Sequence, residues 1–217
     1  MPNSKDVPGA RNQGILFVLS GPSGSGKTTL AQAMLKDQRL KQKLARSISF
    51  TTRPRRRGER SGSDYFFISK NEFLRARKAE KILEWTRYLG YYYGTAKAFV
   101  DEQLRQARSL ILCLDVRGAR RVKQLYPGSC VTVFIMPPSV EELLRRIQRR
   151  ARETKSTEIQ RRLSVARREM RAAPEFDHCL VNRDLRTAVR ALQTIIRSSL
   201  QPQERKDVLY RVGKISG

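Results

Sequence analysis

Ile15-Leu16-Phe17-Val18-Leu19, Gly21-Pro22-Ser23-Gly24-Ser25-Gly26-Lys27-Thr28 and Thr29-Leu30-Ala31-Gln32-Ala33-Met34-Leu35 are the stretches whose reading decides the fold. The first is an apolar run that reads as a buried strand, and the last has helical character. Between them the chain fits G-x-x-x-x-G-K-[ST]. Strand, glycine loop and helix in that order point to a phosphate site rather than a ligand-free turn. Glycines let successive backbone N–H groups face phosphate oxygens, and the helix N-terminus adds partial positive charge. Lys27 can reach the outer phosphates of a nucleotide, and the Thr28 hydroxyl can ligate magnesium.

Outward from that loop, strands and helices alternate. Ser47 to Thr51 reads as a short strand, followed by the basic loop Thr52-Arg53-Pro54-Arg55-Arg56-Arg57-Gly58-Glu59-Arg60. Asp64 to Ile68 is the next strand candidate. Ser69 to Ala79 reads as a helix, with Ser69 and Glu72 at capping-box spacing. Ile82 to Trp85 and Tyr88 to Tyr93 form a hairpin-like pair around Gly90. Ala96 to Ala107 is helical, Leu110 to Asp115 an apolar strand ending in a carboxylate, and Gly118 to Leu125 a helix. Val131 to Ile135 is a buried strand, and Ser139 caps a helix from Val140 with Glu141 and Glu142 in its first turn. Cys179 to Val181 and Leu185 to Leu200 are the last strand and helix. The alternation predicts an α/β fold with a mostly parallel sheet flanked by helices, carrying a small β-rich insertion.

The chain has 217 residues and a formal net charge of +25, a field that attracts polyanions such as nucleoside phosphates, RNA or DNA. Arginine dominates from Arg145 to Arg171. Cys113, Cys130 and Cys179 form no C-x-x-C pair, and His178 is the sole histidine, so neither a disulfide framework nor a multi-histidine metal site is indicated. No apolar run reaches membrane-spanning length, and residues 1–14 read as a flexible lead-in without the hydrophobic segment of a secretory signal. Residues 201–217 read as a polar tail. These features predict a cytoplasmic protein, with organelle import left open.

The order of motifs resembles the guanylate kinase family. The resemblance rests on Gly21 to Thr28, Ser47-x-Ser49, Thr51-Thr52-Arg53, Arg56, Gly58-Glu59, Asp64-Tyr65, Leu83-Glu84-Trp85 and Tyr92-Tyr93-Gly94-Thr95. It continues through Asp115-Val116-Arg117-Gly118-Ala119, Pro137-Pro138-Ser139, Arg162-Leu163 and Val181-Asn182. It covers about Ile15 to Ile196. It implies a P-loop nucleoside monophosphate kinase fold over residues 15–200, with a GMP-binding insertion at 47–97 and a lid at 147–159. It also implies magnesium-dependent transfer of the ATP γ-phosphoryl group to GMP, and to dGMP.

Residue by residue, the resemblance assigns ATP binding to Gly21, Pro22, Ser23, Gly24, Ser25, Gly26, Lys27, Thr28, Thr29 and Asn182, with Thr28 on the metal. The GMP phosphate falls to Arg53, Arg56, Tyr65 and Tyr93, a set whose guanidinium forks suit a phosphate dianion. Guanine presents N1–H and an exocyclic amine, both donors, and its recognition falls to Ser49, Glu84, Thr95 and Asp115. Lys27, Arg56, Arg150 and Arg162 take the catalytic positions, where charge cancellation on the transferring group is the main requirement.

The chain departs from the family pattern at three places. Cys113 replaces the first of two carboxylates usual on its strand. The lid reads Arg150-Ala151-Arg152-Glu153-Thr154-Lys155-Ser156-Thr157-Glu158 and is one residue longer, which leaves Arg149 and Arg152 as alternatives to Arg150. Arg183 follows Asn182 where Asp is common. Three other readings are a kinase for a different phosphate acceptor, a non-catalytic scaffold of the same fold, and a catalytically weak relative that binds RNA or DNA through its charge.

Overall fold

A computed structural model describes residues 14–150 and 156–201. The strands are β1 (Leu16–Ser20), β2 (Leu44–Arg46), β3 (Phe50–Thr51), β4 (Phe66–Phe67), β5 (Ile82–Tyr88), β6 (Tyr91–Ala96), β7 (Ser109–Cys113), β8 (Cys130–Met136) and β9 (His178–Val181). The helices are α1 (Lys27–Lys36), α2 (Lys70–Lys78), α3 (Lys97–Arg105), α4 (Val116–Leu125), α5 (Val140–Arg150), α6 (Ser156–Met170) and α7 (Leu185–Leu200). The lead-in, the polar tail after residue 201 and lid residues 151–155 lie outside the described residues.

The central sheet has the order β2-β7-β1-β8-β9, and every pairing in it is parallel. β1 is buried along its whole length because helices cover both faces, which is why its sequence is continuously apolar instead of alternating. Phe17 and Leu19 pack with Leu30 and Met34 of α1 and with Leu192 and Ile196 of α7. Leu16 and Val18 point the other way, onto Val100 and Leu104 of α3 and Ala119 and Val122 of α4. α5 and α6 pack on each other through Leu143, Ile147, Leu163 and Ala166.

A second sheet, in the order β4-β3-β6-β5, is built from the chain between β2 and α3. Its β3–β6 and β5–β6 pairs are antiparallel and its β3–β4 pair is parallel. α2 covers it through Phe73, which is fully buried and stacks on Tyr92 at 5.2 Å. The capping box forms as the spacing predicts. Ser69 Oγ accepts from the Glu72 amide at 3.2 Å, and Glu72 Oε2 accepts from the Ser69 amide at 2.7 Å.

Several boundaries differ from the sequence-based expectation, each for a physical reason. The strand expected at Ser47 to Thr51 is divided between the two sheets: β2 ends at Arg46, the Ser47 amide donates to the Ile111 carbonyl at 3.1 Å, and β3 starts at Phe50. Asp64 is in a turn, where its Oδ2 accepts from the Arg60 amide at 2.8 Å, Tyr65 makes an isolated bridge to Ser61, and only Phe66 and Phe67 of the expected Asp64–Ile68 strand pair with β3. The hairpin turns at Leu89-Gly90, with φ of 49° and 89°, so Tyr88 closes β5 instead of opening β6. Two positive φ values match the twist of a two-residue hairpin, a turn usually marked by Asn or Gly and not by Leu. Asp115 is not the end of a strand. It caps α4, its Oδ1 accepting from the Gly118 amide at 2.7 Å.

Leu192 is fully buried between the sheet and α1. Leu192→Ala should cost about 3 kcal/mol in urea unfolding, and Ser69→Ala about 1 kcal/mol. Equal costs would contradict the division between central core and capped helix.

Candidate active site

Parallel strands deliver their C-terminal ends to one edge of the sheet, and α/β ligands bind outside that edge. Here β1 ends at the Gly21–Gly26 loop, β7 ends just before Asp115, and β9 ends just before Asn182. The β3–β6 region faces them across a cavity of about 660 Å³.

On the sheet side, the loop runs into α1 through Gly26, which has φ 101°. A Cβ there would lie 2.3 Å from Asn182 Nδ2. Only glycine satisfies both the left-handed backbone and this approach. Asn182 is 6% exposed and its Nδ2 donates to the Ser25 carbonyl at 2.8 Å, while the Arg146 guanidinium donates to the Asn182 carbonyl at 3.1 Å. The residue that the resemblance assigns to ATP therefore braces the phosphate loop from the end of β9. Lys27 Nζ donates to the Gly21 carbonyl at 2.5 Å and the Pro22 carbonyl at 3.1 Å, which holds the ammonium across the loop mouth. Thr28 and Thr29 line the cavity at the start of α1. Pro22 and Ser25 are buried in the loop.

Across the cavity, Arg53 is held on both sides. Its guanidinium donates to the Pro54 carbonyl and to Glu59 Oε1, each at 2.7 Å, and lies 5.6 Å from the centre of the Tyr65 ring. Tyr65 meets Tyr93 edge to face at 5.9 Å. The other Glu59 oxygen, Oε2, accepts from the Arg56 amide at 2.8 Å, so one carboxylate sets the whole basic loop. Burial pushes the Glu59 carboxyl up, but bonds from Arg53 and the Arg56 amide outweigh it and hold the group below the usual range. Arg56 itself is exposed and lines the cavity. Thr51 Oγ1, which accepts from the Arg53 amide at 3.2 Å and donates to the Tyr92 carbonyl at 3.1 Å, ties this loop to β6.

At the base of the cavity Glu84 is 5% exposed, and Thr95 Oγ1 donates to its Oε1 at 2.6 Å. Gly118 lets α4 approach: a Cβ there would lie 2.6 Å from Glu84 Oε2. Burial, with Asp115 nearby and Thr95 opposing, pushes the Glu84 carboxyl up to about 7. Ser49 and Asp115 line the same cavity.

The structure thus brings together the loop, Lys27, Ser49, Arg53, Arg56, Tyr65, Glu84, Tyr93, Asp115 and Arg162 around one cavity, with Thr95 behind Glu84. Arg150 is the last residue of α5, and its side chain lies outside the described residues. Cys113 ends β7 on the cavity wall. Burial pushes its thiol up against the opposing influence of Lys27, which leaves it uncharged at neutral pH.

Two site residues carried no assigned role in the sequence. Glu59 stood in the quoted motif, six and three residues after the arginines it holds, and that spacing was its signal. Glu169, on α6, lines the cavity, and burial raises its carboxyl to about 7 with Lys27 opposing and Asp115 reinforcing. Within an arginine-rich helix nothing local marks it.

Asn182→Ala should raise the KM for the nucleotide held by the loop by about tenfold, one lost buried hydrogen bond, and leave the acceptor KM within twofold. Equal changes in both would mean that Asn182 does not act through the loop. Glu84 also carries a pH signature. A carboxyl with a folded value of about 7 against 4.5 stabilises the fold fully below pH 4.5 relative to its ionised form. That stability is lost as pH rises through 7. Glu84→Gln should therefore match the parent near pH 4.5 and exceed it at pH 8 by about 3 kcal/mol. A constant difference across that range would contradict the buried carboxyl.

The guanylate kinase family model matches residues 13–199. A guanylate kinase of Synechocystis sp. is 45% identical over 184 residues, covering 85% of this chain and 94% of its own length. One from Bartonella henselae is 40% identical over 197 residues, covering 90% and 86% respectively. The crystal structure of guanylate kinase from Anaplasma phagocytophilum superposes with a TM-score of 0.71 at 28% identity, over 95% of this chain and 98% of that one. The loop, the arginine–tyrosine cluster and the buried carboxylate therefore sit in a fold and a sequence shared with these proteins, and the chain belongs to the guanylate kinase family.

Proposed function

We propose that the protein transfers the γ-phosphoryl group of ATP to GMP or dGMP, giving ADP and the guanosine diphosphate. The observation that carries this reading is the buried Glu84–Thr95 pair in the same cavity as the phosphate loop. A carboxylate and hydroxyl offer acceptors to guanine's two donors. Adenine lacks both of those donors, so the wrong base leaves buried acceptors unpaired. Asp115 adds a third acceptor from the start of α4.

Each part of the site then has a task. The loop amides and the α1 N-terminus bind the ATP phosphates, and Lys27 exchanges loop carbonyls for phosphate oxygens, which are stronger acceptors. Arg53, Arg56, Tyr65 and Tyr93 hold the GMP phosphate, whose oxygen attacks in line. That phosphate is already anionic, so no general base is demanded. Lys27, Arg56, Arg150 and Arg162 offset charge on the transferring group. Magnesium, when bound, neutralises the phosphates and holds them in a reactive geometry. Thr28 would hold it with substrate oxygens and water. This donor set fits the ion's reluctance to shed its waters, and among the described residues no three His, Cys, Asp or Glu side chains are placed to hold a metal ion by themselves.

No helix among the described residues is long and apolar enough to cross a membrane. The reading is tested by ADP release from ATP and magnesium with GMP, dGMP, AMP, CMP and UMP offered separately. Turnover should be confined to GMP and dGMP. Comparable turnover with AMP would overturn the role of Glu84. Lys27→Ala should lower kcat by at least about a hundredfold, the order lost with one charge-stabilising donor, and retain the folded state. Near-normal turnover would sink the assignment of the loop.

A further inference from the structure

A second groove, of about 1000 Å³, lies between the β5–β6 hairpin, α4 and α6. Arg87 contributes from β5, Arg117 and Arg120 from α4, and Arg161 and Arg168 from α6. Arg120 is neutralised by a two-pronged bond to Glu175, at 2.7 and 2.6 Å. No carboxylate lies within ion-pairing distance of the other four among the described residues. Other arginines are paired, Arg53 with Glu59, Arg145 and Arg146 with Glu142 and Arg197 with Asp37. Others, such as Arg121 and Arg167, show no ion pair among the described residues; the groove's arginines are set apart by lining one concavity.

The groove is separate from the nucleotide cavity but adjoins it. Thr86, Tyr88, Leu89, Asp115 and Glu169 line both. The groove's two carboxylates thus lie in the shared wall, where Arg168 opposes the upward shift of the Glu169 carboxyl without forming an ion pair. The Arg87 guanidinium lies over the Tyr92 ring at 5.8 Å, so the charges that share the concavity are those of Arg117, Arg161 and Arg168. Like charges there repel one another, and a bound anion relieves that repulsion. The volume is at the upper end of ligand-site size, far more than one phosphate needs. Guanidinium forks from α4 and α6 suit several phosphate groups in a row, each taken bidentately.

We propose that this groove is a second binding site, for an oligophosphate chain of three or more charges, distinct from the ATP and GMP sites. A chain seated there bridges α4 to α6. The shared chemistry is a run of phosphates, supplied either by a free polyphosphorylated molecule or by a nucleic acid strand.

The test uses the full chain with the nucleotide cavity filled by GMP and a non-hydrolysable ATP analogue in excess magnesium, at 150 mM salt. Inorganic tripolyphosphate and a ten-nucleotide single-stranded RNA are titrated separately by calorimetry. Saturable binding of either probe should persist under these conditions. It should weaken at least tenfold in the triple variant Arg117→Ala/Arg161→Ala/Arg168→Ala. Arg121→Ala/Arg167→Ala removes two exposed arginines of the same helices that do not line the groove, and should change binding less than twofold. Tighter binding of tripolyphosphate identifies a free molecule as the source, and tighter binding of RNA identifies a strand. Should the triple variant fail to fold, Arg117→Ala and Arg168→Ala singly should each weaken binding about threefold. The proposal is overturned if neither probe binds once the nucleotide cavity is filled. It is also overturned if the control variant loses as much as the triple variant, which would show diffuse charge alone. Neither outcome touches the kinase reading, since turnover with GMP is measured without either probe.

Discussion

A carboxylate at 5% exposure is the constraint on which the site depends. In the proposed reading Glu84 is held where guanine can meet it, yet burial opposes its charge. The fold meets both demands locally. Thr95, facing it from the neighbouring strand, donates a hydrogen bond to one oxygen, and Gly118 removes the side chain that would displace the other. Asp115, whose charge works against ionisation, has one oxygen committed to the Gly118 amide. A group poised near neutrality in this way gains most when a ligand brings two donors to it. On the proposed reading, selectivity for the base originates in an unfavourable burial that the right ligand relieves.

The phosphate side of the site works by the opposite logic. There the charge is permanent and the problem is placement. Glu59 positions the two arginines by giving one oxygen to the Arg53 guanidinium and the other to the Arg56 backbone. Asn182 positions the loop from a strand far along the chain, through a single buried amide bond to Ser25. The ends of β1, β7 and β9 lie side by side only because the sheet is parallel, so the same topology that buries β1 on both faces also assembles the site.

What could be read from the sequence was whatever the chain determines locally. The glycine loop, the Ser69–Glu72 capping box and the apolar strands are each set by neighbouring residues, and the structure reproduces them. The family's motif order carried the assembled site further than periodicity could. The rest depended on tertiary contact. Asn182 and Ser25 are 157 positions apart, and no local signal links them. Leu89 holds a left-handed turn conformation that its residue type disfavours, so Tyr88 is expected in the wrong strand although the hairpin's turn at Gly90 is placed correctly. Glu169 looks like one more charge in a solvated helix until α6 is laid against the cavity. Cys113, a departure from the family pattern, is a neutral thiol beside Lys27 in the folded protein.

The most direct test of the account is the number of protons released when GMP binds, measured by calorimetry at pH 6.5 in buffers of different ionisation enthalpy. At that pH a Glu84 carboxyl raised to about 7 is largely protonated in the free protein, and guanine's donors require it ionised. The account predicts release of more than half a proton from Glu84 on binding, absent in Glu84→Gln. Binding with no such difference between parent and variant would contradict it, and the guanine-reading acceptor would have to be sought elsewhere in the cavity.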